Sequence, residues 1–221
     1  MNIYIVVPAY NEARHISQTV GDLKKQFPPK NIVVVDDGSV DDTFTLAQTL
    51  GVVALRHRIN RGQGAALQTG NEYALSHGAE AIVHFDADGQ HQASEVGQWI
   101  APIIAGTADV VLGSRFLGTQ SNIPLSKKVF FKIIIPLHNL FIGLRLTDLH
   151  NGTRVLSRAA AEKIRITQDG MAHNSEISGQ ISKFQLRYTE VPVTVTYSEY
   201  GQGLRGAVKI FKDLMKRGVV G

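Results

Sequence analysis

Carboxylates gather where short apolar runs end. Asp86 and Asp88 stand in Phe85-Asp-Ala-Asp-Gly-Gln-His91, directly after Ala81-Ile-Val-His84. Two carboxylates one residue apart can converge on a hard divalent cation once the chain turns at Gly89, and Gln90 can add a carbonyl oxygen. Oxygen ligands alone suit Mg²⁺ or Mn²⁺, which keep waters and bind substrate phosphates. The same letters also suit an ordinary Asp-Ala-Asp-Gly turn with capping aspartates. Asp36 and Asp37, in Val35-Asp-Asp-Gly-Ser39, offer acceptors for a base or ribose. They equally suit a turn leading to a helix capped by Asp41. Asn60-Arg-Gly-Gln-Gly-Ala65 is rich in glycine and precedes a helix, so its backbone could approach a phosphate. It lacks the third glycine of a dinucleotide fingerprint, and the chain has no Gly-Lys-Ser/Thr phosphate loop.

These residues need a scaffold that brings them to one edge. The runs Ile3–Val7, Ile32–Val35, Val52–Leu55, Ala81–Phe85 and Asp109–Leu112 read as strands. Helical spacing predicts helices over Glu12–Gln26, Asp42–Leu50, Gly64–Ser76 and Ala93–Ile104. Such alternation implies an α/β fold with a mainly parallel sheet covered on both faces. Ligands of these sheets bind beyond the carboxyl ends of the strands, where Glu12, Asp36, Asp86 and Arg115 all fall. The second half is less regular. It reads as a polar loop over Gly118–Asn122, an apolar helix over Ser126–Leu146 and a short strand at Thr153–Leu156. Helices at Ala159–Ile164 and Asn174–Lys183 follow, then a strand at Leu186–Tyr197 that Pro192 assigns to an edge or bulge. Leu204–Arg217 predicts an amphipathic helix.

The chain has 221 residues, the length of one large domain, with no internal repeat or linker. Residues 1–115 carry the candidate nucleotide- and metal-binding strand ends, and 116–221 form a second, less regular half. With no Cys, disulfides, thiolate metal sites and cysteine nucleophiles are excluded. The opening residues do not resemble a signal peptide and no apolar run is long enough to span a membrane, so a cytoplasmic setting is expected. A net charge of +4 and pI of about 9.3 fit anionic partners. Aromatics make up only 7% and the basic residues are dispersed, which argues against a nucleic-acid stacking platform. The histidines show no paired metal spacing, and Trp99 sits among apolar neighbours as packing.

Pro8-Ala-Tyr-Asn-Glu12, Val35-Asp-Asp-Gly-Ser39-Val-Asp41, Asn60-Arg-Gly-Gln-Gly64, Asp86-Ala-Asp-Gly-Gln90, Gly113-Ser-Arg-Phe116 and Asp148-Leu-His-Asn-Gly-Thr-Arg154 occur in this order. Together they resemble the inverting family-2 glycosyltransferases of GT-A fold, most of all the polyprenyl-phosphate (dolichyl-phosphate) sugar synthase branch. The resemblance implies that Pro8, Tyr10, Glu12 and Asp37, with Asp36 nearby, hold the nucleoside of a nucleotide-sugar donor. It implies a Mg²⁺ or Mn²⁺ ion on Asp86, Asp88 and Gln90, and a catalytic Asp88. Arg115 would serve the diphosphate or acceptor phosphate, Gly62 the donor loop, and Arg205 the donor from the tail. Glu176 falls where relatives place an acidic residue facing the acceptor, and is the candidate base if the acceptor is a hydroxyl. The sequence departs from the family at Gly152-Thr-Arg154, where an aromatic often follows the glycine. It also lacks a Gln-x-x-Arg-Trp run, which weakens a cellulose- or chitin-type reading.

The implied acceptor is a polyprenyl phosphate or a lipid-linked glycan at the inner membrane face. In that branch the region matching Ser126–Leu146 helps form a surface for membrane and lipid; a core or dimer-interface helix would look alike in sequence. Arg205, Lys209, Lys212 and Lys216 form a basic stripe beside Leu204, Val208, Phe211 and Met215, a pattern suited to anionic lipid. A homo-oligomer or a membrane-protein partner is compatible with these features. The rival activity is a nucleotidyltransferase, which would usually carry a glycine-rich loop with basic residues where this chain has Pro8-Ala-Tyr-Asn-Glu12. A non-catalytic nucleotide-sugar-binding adaptor is the other rival, opposed by the presence of Asp86, Asp88 and Arg115.

Overall fold

The computed structural model describes residues 1–117, 125–149 and 152–195. The predicted loop at Gly118–Asn122, the tail helix over Leu204–Arg217 and Arg205 lie outside these residues.

The apolar runs form strands β1 (Ile3–Ala9), β2 (Ile32–Asp36), β3 (Val53–Arg56), β4 (Ala81–His84), β5 (Val110–Ser114), β6 (Arg154–Ser157) and β7 (Tyr188–Pro192). They join one sheet in the order β3-β2-β1-β4-β6-β5-β7. Four of its six pairings are parallel; β6 enters between β4 and β5 and runs against both. β5 therefore keeps the direction of β1 and β4, and the start of β6 lies at the edge where those strands end. β7 is an edge strand, one of the two placements that Pro192 left open. β1 runs through Pro8 to Ala9 rather than stopping at Val7, so Pro8 occupies a ladder position opposite Val35 at the strand's last turn.

The helices are α1 (Ile16–Lys24), α2 (Thr43–Thr49), α3 (Gln63–Ser76), α4 (Val96–Ile104), α5 (Leu125–Ile142), α6 (Arg158–Lys163) and α7 (His173–Lys183). α1 begins four residues later than predicted. Asn11 takes a left-handed φ of 57°, and the Glu12 carbonyl accepts from both His15 and Ile16, making a turn before the helix. The first turn of the predicted Ala93–Ile104 helix is 3₁₀, with α4 following.

Alternate residues of each central strand enter opposite layers. Ile5, Val7, Ile32, Val34 and Val83 pack with Ile16, Val20 and Leu23 of α1 and with Trp99 of α4. Val6, Val33, Val35 and Ile82 pack with Leu67 of α3, Ala160 of α6 and Ile177 of α7. Both faces are dry, which explains strands that read as unbroken apolar runs. Removing a fully buried side chain of this size from such a layer costs about 2–5 kcal/mol, so the two layers fix where each strand ends.

Candidate active site

The strand ends bring four loops together, and their backbones are tied by side chains. Beyond β1, the Asn11 N–H donates to Ser39 Oγ (2.9 Å) and the Glu12 N–H to Thr43 Oγ1 (2.8 Å). Asp41 accepts from the N–H groups of Ala13 and Thr43. Asp41 thus braces two loops; the expected cap position belongs to Asp42, which makes no side-chain capping bond. Pro8 is buried, whereas Tyr10 remains 45% exposed over the open edge.

Asp37 is fixed by three donors. Its Oδ1 accepts from the Arg61 N–H (3.0 Å) and lies 2.7 Å from His57 Nδ1, while Oδ2 accepts from the Gly62 N–H (2.6 Å). Asp36 is buried with its Oδ2 3.1 Å from Arg56 Nε, an ion pair without hydrogen-bond alignment. The glycine loop then meets a second loop backbone to backbone. Gly64 N–H donates to the Asp169 carbonyl (2.8 Å). Gly62 has φ +112°, and a Cβ there would stand 2.3 Å from the Asp169 oxygen; at Gly64 it would stand 2.1 Å from the Gln168 oxygen. Only glycine permits both the dihedral and the approach.

Asp86 leaves β4 beside the start of β6. Gln63 Nε2 donates to its Oδ1 (2.8 Å), and His91 Nε2 lies 3.5 Å from Oδ2. A Cβ at Gly152 would sit 2.1 Å from that same Oδ2, so the small residue makes room for the carboxylate. Beneath lies a buried polar group: Arg154, whose Nη2 bonds Asn174 Oδ1, and His84, whose Nε2 is 2.9 Å from Asn71 Oδ1. Burial draws the Arg154 guanidinium down to about 10, with Asp86 opposing. Burial, then Arg154 and His173, push His84 well below the usual histidine range, leaving it neutral. Burial raises the Asp86 carboxyl, but His91, Arg154 and His173 outweigh it and hold it below the ordinary carboxylate value. Asp88 goes the other way, raised by burial and by the negative charge of Asp86, while its Oδ1 accepts the Gln90 N–H (3.0 Å). Glu12 adds to that repulsion.

Among the described residues no three His, Cys, Asp or Glu side chains converge as a complete metal cage. A short all-oxygen donor set at an open edge is what a Mg²⁺ or Mn²⁺ ion shared with a diphosphate needs. Mutual repulsion between Asp86 and Asp88 is a strain that such a cation relieves, so the residues fit it.

Residues 4–165 match the model of glycosyl transferase family 2. The chain belongs to that family. It is 32% identical over 240 residues to UDP-N-acetylglucosamine–dolichyl-phosphate N-acetylglucosaminyltransferase of Methanococcus voltae, covering 96% of this chain and 94% of that one. It is 31% identical to polyprenol monophosphomannose synthase of Mycolicibacterium smegmatis, over 96% of this chain and 84% of that one. Glucosyl-3-phosphoglycerate synthase of Mycobacterium tuberculosis, solved with Mn²⁺ and UDP-glucose, superposes with a TM-score of 0.70 at 18% identity. That match covers 96% of this chain and 76% of the other. The sheet is thus the GT-A fold, and the protein is a glycosyltransferase.

Two expected residues of this family-2 transferase have partners that the sequence did not reveal. Arg115 forms a fork with buried Asp148, Nε to Oδ2 and Nη2 to Oδ1, both 2.7 Å. Asp148 opens the quoted Asp148–Arg154 motif, but its partner is 33 residues away. Glu176 sits in the first turn of α7, and its carboxylate accepts from the N–H groups of Thr167 and Gln168 and from the Thr167 hydroxyl. It is a loop anchor in this geometry. His57, Gln63 and Arg154 were given no role from the sequence, although Gln63 and Arg154 stand within the quoted motifs; each interacts with a site carboxylate through a contact that no local pattern encodes.

Proposed function

We propose that this transferase moves a sugar from a nucleoside-diphosphate sugar to a polyprenyl phosphate, with inversion at the anomeric carbon. The observation that carries this reading is the Asp86–Asp88 pair at the end of β4, set against buried Arg154. Support for the acceptor comes from two relatives at 31–32% identity, one named for transfer to dolichyl phosphate and one for making polyprenol monophosphomannose. The exposed end of α5 is consistent with a lipid tail, since Leu140 and Phe141 are 79% and 85% accessible. The reaction then belongs at a membrane surface, with the chain attached peripherally.

In this reading Tyr10 and Glu12 face the nucleoside, and buried Pro8, Asp36 and Asp37 shape the loops that receive it. Gly62 and its neighbours form the loop beside the donor, and a donor contact is assigned to Arg205. Asp86 and Asp88, with the Gln90 carbonyl, hold Mg²⁺ or Mn²⁺. The cation supplies charge neutralisation of the departing diphosphate. Arg115, oriented by Asp148, adds positive charge that matters most as the leaving group becomes anionic. A phosphate acceptor arrives already ionised, so attack on the anomeric carbon needs no proton removal and no base. That agrees with a Glu176 carboxylate occupied by three donors.

Asp88→Asn tests the reading. Titration calorimetry with UDP and GDP, with and without Mn²⁺, is expected to show wild-type binding strengthened by metal and that gain lost in the variant. Equal Mn²⁺ dependence in both proteins would remove Asp88 from the metal site.

A further inference from the structure

Residues 165–170 belong to no helix or strand, yet four consecutive N–H groups there are held by side chains. Arg165 N–H donates to Gln180 Oε1 (2.9 Å) and Ile166 N–H to Gln68 Oε1 (2.9 Å). Thr167 N–H donates to both Glu176 oxygens (3.1 and 3.0 Å), and Gln168 N–H to Glu176 Oε2 (2.9 Å). Irregular backbone keeps one shape only when its donors are met this way. Directly after these residues, the Asp169 carbonyl receives Gly64 N–H, and Arg61 Nη2 stands 3.5 Å from Asp169 Oδ1. The far side of the glycine loop is bound to Asp37. A continuous mechanical path therefore runs from α7 through 167–170 and 61–64 to the nucleoside side of the site.

We propose that Glu176 is a positioning residue that fixes the donor-binding glycine loop through residues 167–170, and takes no part in proton transfer. The inference rests on the donor assignment above and goes beyond it. A carboxylate suits the position because it only accepts, and every neighbour named here donates. Glutamine would turn an amide N–H₂ toward at least one of those donors and lose the charge assistance.

The test is Glu176→Gln on the full chain, with UDP and GDP calorimetry and steady-state kinetics on a short-chain polyprenyl phosphate. The expected result is a three- to tenfold weaker nucleotide Kd and donor KM, about the worth of one ordinary hydrogen bond. The value of kcat and its pH profile should stay within about twofold. Thr167→Val, which removes one donor with little change of volume, should move Kd the same way by a smaller factor. It serves also if the glutamine variant does not fold. A general base would give the opposite pattern: kcat down about 10²- to 10⁴-fold, its acidic limb altered and nucleotide Kd unchanged. That outcome, or unchanged Kd in both variants, overturns the inference. If the wild-type chain binds no nucleoside diphosphate, the donor assignment itself fails.

Discussion

Asp148 is fully buried, and Arg115 keeps only 17% of its side chain accessible. Taking both charges out of water is costly, and the fork repays it only while both partners are present. Asp148→Ala would leave a guanidinium without its carboxylate, with an expected loss of about 3–5 kcal/mol in urea unfolding. Arg115→Met with Asp148→Leu should recover only part of that loss, because Asp148 also accepts the N–H groups of Arg115 (3.1 Å) and Leu149 (2.8 Å). A cost below about 1 kcal/mol for Asp148→Ala would mean the pair behaves like an exposed one. At this scale the sequence was informative about which residues matter and much less about how each is engaged. Asp36, Asp37, Asp86 and Asp88 were visible because acidic residues after apolar runs are conspicuous. Asp37 still differs from the simple picture of a ribose acceptor, because Arg61 and Gly62 bring their N–H groups to it from 24 and 25 positions away. No local pattern encodes such a meeting.

The strands were legible for a physical reason: burial on both faces makes them continuous Val and Ile runs, and Pro192 marked β7 as an edge. The insertion of β6 between β4 and β5 was not legible, because periodicity reports which face a residue takes and not which strand it pairs with. That insertion carries Gly152 and Arg154 to Asp86. The edge strand has its own fastening. Arg187 donates to both Asp109 oxygens through its side chain and adds its N–H, joining the approach to β7 to the start of β5. Hydrogen bonding from Arg187 outweighs burial and holds the Asp109 carboxyl below its ordinary value. With the folded pKa depressed, the stabilisation is fully present above the unfolded value of about 3.9 and disappears as pH falls through the lower folded value. Wild type and Asp109→Asn should therefore differ in urea midpoint at pH 6, and that difference should shrink steadily below about pH 4. A gap that stays constant down to pH 2.5 would show that the carboxylate's charge contributes nothing to holding β7.

For the molecule as a whole, the proposed donor site draws on loops far apart in the chain: 8–12, 36–41, 60–64, 86–91 and 113–115. A ligand gripping all of them favours only the folded state and so raises the unfolding temperature by mass action. At a nucleotide concentration of one hundred times Kd the gain is about 2.7 kcal/mol. For a chain of this size that corresponds to a rise of roughly 5–11 °C. A panel of UDP, GDP, TDP and CDP, each with Mn²⁺ and then with excess EDTA, separates three situations. A rise for one nucleotide that EDTA erases names the base and places the cation between protein and diphosphate. A rise that survives EDTA would mean that Arg115 and the glycine loop hold the diphosphate without the metal, and the role given to Asp86 and Asp88 would have to be withdrawn. No rise for any nucleotide would leave the fold intact and the donor site without function, because loops that bind nothing cannot shift the balance between folded and unfolded chains.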